Sequence, residues 1–244
     1  MSEAGPRPAF YALRPGGWRD YATLLHPPYT LWHLSYVAVG AALAPRMDWP
    51  LLGWTTLAFA LAMGVGAHAL DELRGRPLQT RIPPRTLVAL AAVSIGAACG
   101  IGVAVAVSRT LWLLVFVAAG GFVVVAYNLE LFGGRFHGGV WFPAAWGAFP
   151  VLTAYFASAQ TLRADAIAAA AYAFASSWAQ RRLSTPVRLV RRRVVRIDGE
   201  AELADGTMLR LDADTLAGAP EAALKALAAA VILVAAALLL VRAG

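Results

Sequence analysis

The chain has 244 residues, of which 59% are hydrophobic and 14% are charged, and its mean hydropathy is +0.62. Soluble domains carry about 25% charged residues, so this composition excludes an ordinary soluble domain and predicts an integral membrane protein. The net charge of +7 does not indicate nucleic-acid binding, because the arginines lie in short gaps between apolar runs. The single cysteine, Cys99, excludes a disulfide framework within one chain.

Seven runs along the chain are apolar over nearly the length of about 20 residues that a spanning helix needs. They cover residues 29–45, 51–70, 86–107, 111–129, 139–159, 163–180 and 220–241. We therefore predict an all-α bundle of about seven transmembrane helices. In domain terms, the prediction is an N-terminal segment over 1–28, six helices over 29–180, a basic loop over 181–219 and a seventh helix over 220–244.

The positive charges divide unevenly between the two sides of this bundle. With a cytoplasmic N-terminus, all but four of the 21 Lys and Arg residues face the cytoplasm. The four on the outside are Arg46, Arg109, Arg163 and Arg242. The positive-inside rule therefore predicts a cytoplasmic N-terminus and an external C-terminus. We expect an integral membrane protein of the plasma membrane of a prokaryote, with a site on its cytoplasmic face.

The basic loop over 181–219 is the stretch with the most soluble character. Two Asp-Gly pairs, Asp198-Gly199 and Asp205-Gly206, separate short runs of alternating apolar residues. Asp-Gly between such runs is a hairpin signal, so we predict a small β-meander of two or three strands here.

An acidic pair ends the second apolar run. On a helix, His68 lies three and four residues before Asp71 and Glu72, so the three side chains share one face. Oxygen ligands at that spacing suit Mg²⁺, which binds through one or two carboxylates while substrate phosphates complete its shell. Arginines follow at once, at 74, 76 and 81, and can clamp the same phosphates. The alternative is a charged helix end with local ion pairs.

Two further polar groups lie on the same predicted face. Tyr127 and Asn128 end the fourth run, before a glycine-rich turn that contains His137. These residues can either reach a polar substrate or form an interfacial belt. The segment from Gln180 to Arg193 holds Arg181, Arg182 and further arginines, which can contact anionic lipid headgroups or a diphosphate. Within the first run, His33 is a further candidate because intramembrane ionisable residues are often functional.

The order of these motifs resembles that of the UbiA superfamily of intramembrane prenyltransferases, over about residues 26–195. The similarity rests on four stretches: His26-Pro27-Pro28-Tyr29-Thr30-Leu31-Trp32, Asp71-Glu72 with Arg76-Pro77-Leu78-Gln79-Thr80-Arg81-Ile82 after it, Tyr127-Asn128, and Gly147-Ala148-Phe149-Pro150. The chain departs from the family pattern after the sixth run, where arginines replace the second Asp-rich motif. It is also shorter, with fewer spans.

The resemblance implies a UbiA-like fold and Mg²⁺-dependent transfer of an isoprenoid from a prenyl diphosphate to a small acceptor. Membrane lipids would be the other partners, and nucleic acid would not be one. It implies metal binding by Asp71, Glu72 and His68. It implies diphosphate binding by Arg76, Arg81, Arg181, Arg182 and Tyr127, and orientation of the acceptor by Asn128 or Tyr127. Asp71, Glu72 and Asn128 are therefore the predicted catalytic residues. The alternative is a catalytically degenerate relative that binds lipid or a protein partner.

Overall fold

The computed structural model describes residues 9–244. The described part of the protein is mostly helical, with 75% of those residues in helices, as the prediction of an all-α protein requires. The first eight residues of the predicted segment 1–28, with Arg7 among them, lie outside the described residues.

Helices follow one another along the chain with one small sheet near the end. They are α1 (Trp18–Leu24), α2 (Pro27–Leu43), α3 (Trp49–Phe59), α4 (His68–Gly75), α5 (Pro84–Arg109), α6 (Leu113–Asn128), α7 (Trp141–Pro143), α8 (Phe149–Ala159), α9 (Ala164–Arg193) and α10 (Ala213–Ala243). A π-helical segment, Ala60–Ala67, joins α3 to α4, and another, Ala144–Ala148, joins α7 to α8. A short 3-10 turn, Phe132–Gly134, follows α6.

Three of these helical segments are long and apolar enough to cross a membrane: Trp49–Gly75, Pro84–Arg109 and Ala213–Ala243. A fourth, Leu113–Asn128, is apolar but shorter. Their outward faces carry large exposed apolar side chains, such as Val93 and Leu240, which are 72% and 73% exposed. Exposed apolar surface on this scale is what a helix facing lipid presents, so the protein is a membrane protein.

The central packing unit brings α2 against α8, α9 and α10. Trp32 and Tyr36 of α2 are fully buried there, with Val151 of α8 and Val231 of α10. Close approach depends on Gly40, since a Cβ at that position would overlap the backbone carbonyl of Val151. Small residues at helix crossings are the usual means by which membrane helices pack tightly.

The second π-helical segment contains a backbone carbonyl whose missing helical partner is explained by the sequence. Pro150 has no N–H, so the carbonyl of Trp146, four residues earlier, lacks its α-helical donor. His33 supplies the missing donor, with Nδ1 at 2.8 Å from the Trp146 oxygen. The proline thus opens a backbone acceptor inside the bundle, and a buried histidine of α2 occupies it.

One end of the bundle is closed by contacts between the ends of its helices. Arg109, at the end of α5, binds Asp48 at the start of α3. Gln160 donates a hydrogen bond to the Arg109 carbonyl at 3.3 Å. Arg242, at the end of α10, donates to the carbonyls of Ala42 and Ala44 at 2.6 and 2.7 Å. We call this the closed end.

The structure corrects the predicted basic loop over 181–219. The helix that begins at Ala164 continues through Pro186 to Arg193, so most of the arginine cluster is helical. The last helix begins at Ala213 and not at Pro220, because Asp212 caps it by accepting a hydrogen bond from Thr215 N at 2.7 Å. The loop proper is therefore 194–212.

The predicted meander is reduced to one antiparallel hairpin. Its strands are β1 (Glu200–Glu202) and β2 (Met208–Arg210), with Ala201 opposite Leu209. The turn contains Gly206 at a φ of 81°, and Asp205 accepts a hydrogen bond from Thr207 N. The Asp205-Gly206 turn is confirmed, whereas residues 194–197 do not form a strand.

Candidate functional site

A polar cavity of about 300 Å³ opens at the end of the bundle opposite the closed end. It lies between α2, the 49–75 helix, the end of α6, α7, α9 and the start of α10. Its polar lining residues are Tyr11, His26, Tyr29, Thr30, His33, His68, Asp71, Tyr127, Asn128, His137, Gln180, Arg181, Ser184, Arg188, Arg192 and Glu221. A cavity of this size can hold the polar part of a small organic ligand.

The structure brings five of the predicted site residues together at this cavity. Asp71, His68, Tyr127, Asn128 and Arg181 all line it. They come from three helices that are far apart in sequence, as the prediction of a shared polar face requires. The roles predicted for them remain predictions.

Glu72, next to Asp71, is not part of the lining. Successive helical residues point about 100° apart, so Glu72 faces the loop that follows α4. Its carboxylate accepts hydrogen bonds from Leu78 N at 3.1 Å, from Thr80 N at 2.8 Å and from Thr80 Oγ1 at 2.8 Å. Glu72 is 1% exposed. The structure therefore places it as the anchor of the 76–82 loop.

Three of the predicted phosphate-binding arginines also lie elsewhere. Arg76 donates to the carbonyls of Thr80 and Ile82 at 2.8 and 3.0 Å and so braces its own loop. Arg81 is absent from the cavity lining, and its backbone N–H donates to Asp20. Arg182 stacks over the Trp178 ring at 5.0 Å on the outer face of α9.

The inner face of α9 supplies the positive charge of the cavity. Arg181, Ser184, Arg188 and Arg192 recur at helical spacing and all line it. Arg181 donates to the Tyr127 hydroxyl at 2.7 Å. Burial and the like charges of Arg192 and Arg181 lower the pKa of Arg188, so an anion bound here would relieve an unfavourable concentration of positive charge.

All four histidines of the chain line the same cavity. Three of them place Nδ1 against a backbone carbonyl: His33 against Trp146, His68 against Gly64 at 3.0 Å, and His137 against Tyr127 at 3.0 Å. A carbonyl only accepts, so Nδ1 carries the proton in each case and Nε2 is left as the second ring nitrogen. The fourth, His26, stacks on His68 with ring centroids 4.1 Å apart.

The segment before α1 covers one side of the cavity. Tyr11 and His26 Nδ1 are hydrogen-bonded at 2.7 Å, and the Tyr11 ring meets that of Tyr29 edge to face. Burial is the main cause that lowers the pKa of His26 well below its usual value. The Lys225 ammonium lies 4.9 Å from the Phe10 ring. These contacts hold residues 9–11 against the mouth.

An apolar crevice of about 110 Å³ lies deeper among the 49–75 helix, α5, α6 and α8. The crevice has space because small residues form much of its wall: Ala58, Ala62, Ala98, Gly102, Gly120 and Gly121. Two residues, Met63 and Trp146, line both the crevice and the polar cavity. Each lies in one of the two π-helical segments, so the irregular turns stand where the polar and apolar spaces meet.

The fit of this site to Mg²⁺ is limited to one carboxylate. Among residues 9–244, no group of three or more His, Cys, Asp or Glu side chains is placed to hold a metal ion. Asp71 and Glu221 are the acids of the lining, and Glu221 is bonded to Arg191 at 2.9 Å. One carboxylate can still share a Mg²⁺ with a substrate diphosphate, so Asp71 fits an ion that arrives with its ligand.

Several cavity residues were not singled out by the sequence as site residues, and only some of them left a signal. Arg188 and Arg192 belong to the arginine-rich segment predicted to contact lipid headgroups or a diphosphate, and their i, i+4 spacing places both on one face of α9. A predicted loop does not imply such a face. Tyr11 belongs to no motif, and His26 appears only as the first residue of the His26–Trp32 stretch. Tertiary contacts bring both to the site. Gln180 is buried and follows the same α9 face.

The chain matches no family model, and no curated protein and no solved structure is significantly similar to it. The resemblance to the prenyltransferases therefore rests on the motifs themselves.

Proposed function

We propose that the protein is a membrane-embedded prenyltransferase with a UbiA-like bundle of seven spans, which transfers an isoprenoid from a prenyl diphosphate to a small acceptor. The observation that carries the proposal is a pair of adjacent spaces: a cavity with three arginines on one helix face, and an apolar crevice that shares the wall residues Met63 and Trp146 with it. A prenyl diphosphate has the matching form, with a multivalent anionic head and a long, methyl-branched apolar chain.

The head group would lie against α9. Guanidinium groups bind phosphate oxygens through paired N–H donors, and Arg181, Arg188 and Arg192 line the cavity along about three helical turns. Tyr127, held by Arg181, adds a hydroxyl at the same place. Asp71 would hold a Mg²⁺ shared with the diphosphate, and this ion would add positive charge to stabilise the leaving group.

In the proposed reaction the carbon–oxygen bond to the diphosphate breaks and the diphosphate leaves with the electron pair. The allylic cation is captured by a nucleophilic atom of the acceptor, which then loses a proton. The arginines stabilise the charge that develops on the leaving group. His68 and His137 line the cavity with Nδ1 already protonated, so Nε2 of either can take the released proton.

The test is binding of farnesyl diphosphate to the purified protein in nanodiscs. Arg188→Gln should weaken binding about tenfold or more, since a charge-assisted hydrogen bond contributes about 1.5–3 kcal/mol. The matched control is Arg182→Gln, on the same helix but stacked on Trp178 outside the cavity. Absence of binding by the unmodified protein, or equal losses in both variants, would overturn the proposal.

The second candidate is a catalytically degenerate relative that binds such lipids without turnover. The hydrogen bonds that Glu72 accepts from Leu78 and Thr80 favour this candidate, because they hold the carboxylate predicted as a second metal ligand against the 76–82 loop. Release of inorganic diphosphate from farnesyl diphosphate, assayed with a panel of phenols and alcohols, separates the two. Binding without release supports the degenerate form, and acceptor-dependent release supports the enzyme.

A further inference from the structure

One buried polar atom of the cavity wall has no partner. Gln180 is 5% exposed, and its Oε1 is the single buried side-chain N or O atom among the described residues that makes no hydrogen bond. A buried acceptor without a donor is unfavourable by about 1–3 kcal/mol. Since Gln180 lines the cavity, a ligand in that cavity is the natural source of the missing donor.

Gln180 lies at the inner end of the cavity, so a ligand group that donates to its Oε1 would lie there too. On α9, the next polar residue towards the closed end is Ser177, which is fully buried and donates to the Tyr36 hydroxyl at 3.3 Å. In the other direction come Arg181, Ser184 and Arg188, towards the mouth. Gln180 therefore marks the boundary between the polar lining and the sealed core of α2 and α9.

The chemistry of this acceptor excludes two kinds of partner. Ionised phosphate oxygens only accept, so the anion that the arginines attract cannot satisfy Oε1. An ammonium group would be repelled by the positive charges of Arg181, Arg188 and Arg192 on the same helix face. What remains is a neutral O–H or N–H group on the ligand.

We propose that Gln180 binds the acceptor substrate through Oε1, and that this acceptor carries a neutral hydroxyl or N–H donor at the inner end of the cavity. The proposal rests on the proposed function and names the chemical class of its second substrate. The arginines hold the anionic head of one substrate near the mouth, and Gln180 selects the donor group of the other further in. Such a site rejects analogues that lack the donor, because the oxygen is then left buried and unpaired.

The experiment uses two neutral, acceptor-like probes that have no isoprenoid chain and differ in one donor: 2-naphthylmethanol and its methyl ether. Each competes with radiolabelled 2-naphthylmethanol for the full-length protein in detergent. The unmodified protein should prefer the alcohol about fivefold to tenfold, the range that one hydrogen bond to a neutral group produces. Gln180→Met, which keeps the length of the side chain and removes the oxygen, should bring the ratio close to one.

A control variant and a thermal-stability measurement complete the test. Gln160→Met is the matched control, because Gln160 lies at the closed end, and it should keep the preference. The thermal midpoint of ligand-free Gln180→Met should be unchanged or higher, since an unpaired oxygen is removed; a lower midpoint would show that Oε1 has a structural partner and would overturn the proposal. Equal binding of both probes by the unmodified protein, or a preference that survives Gln180→Met, would also overturn it.

Neither probe carries phosphate, so this test stands apart from that of the proposed function. If the unmodified protein binds farnesyl diphosphate but does not prefer the alcohol to the ether, the Gln180 proposal alone is overturned. An intact preference in a protein that does not bind farnesyl diphosphate overturns the prenyl-diphosphate function alone.

Discussion

Asp71 and Glu72 are adjacent carboxylates with different surroundings, and the difference follows from helix geometry. The rotation between successive residues turns Asp71 into the cavity and Glu72 into the 76–82 loop. Sequence spacing placed both on the face of His68, because i+3 and i+4 positions both neighbour residue i. Only the packing of the following loop decides which of the two carboxylates remains accessible to a ligand.

These surroundings predict opposite effects for two conservative changes. Glu72→Gln replaces an acceptor of three hydrogen bonds and should lower stability by about 2 kcal/mol, or the thermal midpoint by about 4–8 °C. Asp71→Asn should leave the midpoint nearly unchanged and abolish the Mg²⁺-dependent part of farnesyl diphosphate binding. Thermal denaturation and binding with and without EDTA check both. A reversed pattern would contradict the placement of the two carboxylates.

His26 predicts a pH dependence of stability whose sign follows from its lowered pKa. Burial, and then the nearby His68, keep the folded-state pKa well below the usual value of 6.5. Above pH 6.5 His26 is neutral in both states; as the pH falls below 6.5 the unfolded chain binds a proton that the folded protein excludes. Stability should therefore fall on acidification, by up to about 1.4 kcal/mol per pH unit from this group.

The measurement is the thermal midpoint between pH 7.5 and 5.5. His26→Asn should reduce the slope of this dependence, and asparagine tolerates the left-handed backbone found there, with φ at 46°. Tyr11→Phe is the control, since it removes the hydrogen bond to His26 and keeps the titrating ring. An unchanged slope in His26→Asn would contradict the assignment.

At the scale of helices, hydrophobicity alone placed most elements to within two residues. The runs predicted over 29–45, 86–107 and 111–129 correspond to Pro27–Leu43, Pro84–Arg109 and Leu113–Asn128. The prediction was wrong where charge was taken as the sign of a loop, at 181–193. Those arginines lie on a helix, one face of which lines a polar cavity, so charged side chains do not by themselves indicate a loop here.

The site was predictable only in part, because some of it depends on contacts between helices that the sequence does not specify. Asp71, Tyr127 and Arg181 each stand at the end of an apolar run on one predicted face, so topology alone brought them together. Neither π-helical segment could be inferred, although Pro150 now accounts for the free carbonyl of Trp146. The partner of that carbonyl, His33, depends on the crossing of α2 with the 144–148 segment.

The crossing of α2 and α8 supplies a prediction about packing. Gly40→Ala should destabilise the protein by about 2 kcal/mol or more, because the added methyl overlaps the Val151 carbonyl and backbone cannot move aside as a side chain can. Gly96→Ala on α5 has open space around it and should be neutral or stabilising, by up to about 1 kcal/mol. Thermal unfolding of the pair in one detergent checks this, and equal effects would contradict the close approach.

For the whole molecule, the structure separates two chemically different ends. The closed end joins Arg109 to Asp48 and Arg242 to the end of α2. The other end gathers the cavity, the α9 arginines and the β1–β2 hairpin. The two arginines of the closed end, Arg109 and Arg242, are among the four positive residues that the positive-inside rule places outside the cell. The concentration of the remaining arginines at the cavity end favours a cytoplasmic opening.

This separation predicts the accessibility of two single cysteines in intact cells. In a Cys99→Ser background, Thr161→Cys stands at the closed end and Ala204→Cys in the hairpin turn, and both positions are exposed. A membrane-impermeant maleimide should label Thr161→Cys in intact cells and Ala204→Cys only after the membrane is permeabilised. Labelling of Ala204→Cys alone in intact cells would indicate the opposite orientation in the membrane. Labelling of both in intact cells would contradict a bundle whose two ends lie on opposite sides of the membrane, and with it the cytoplasmic entry that the proposed phosphate-bearing substrate requires.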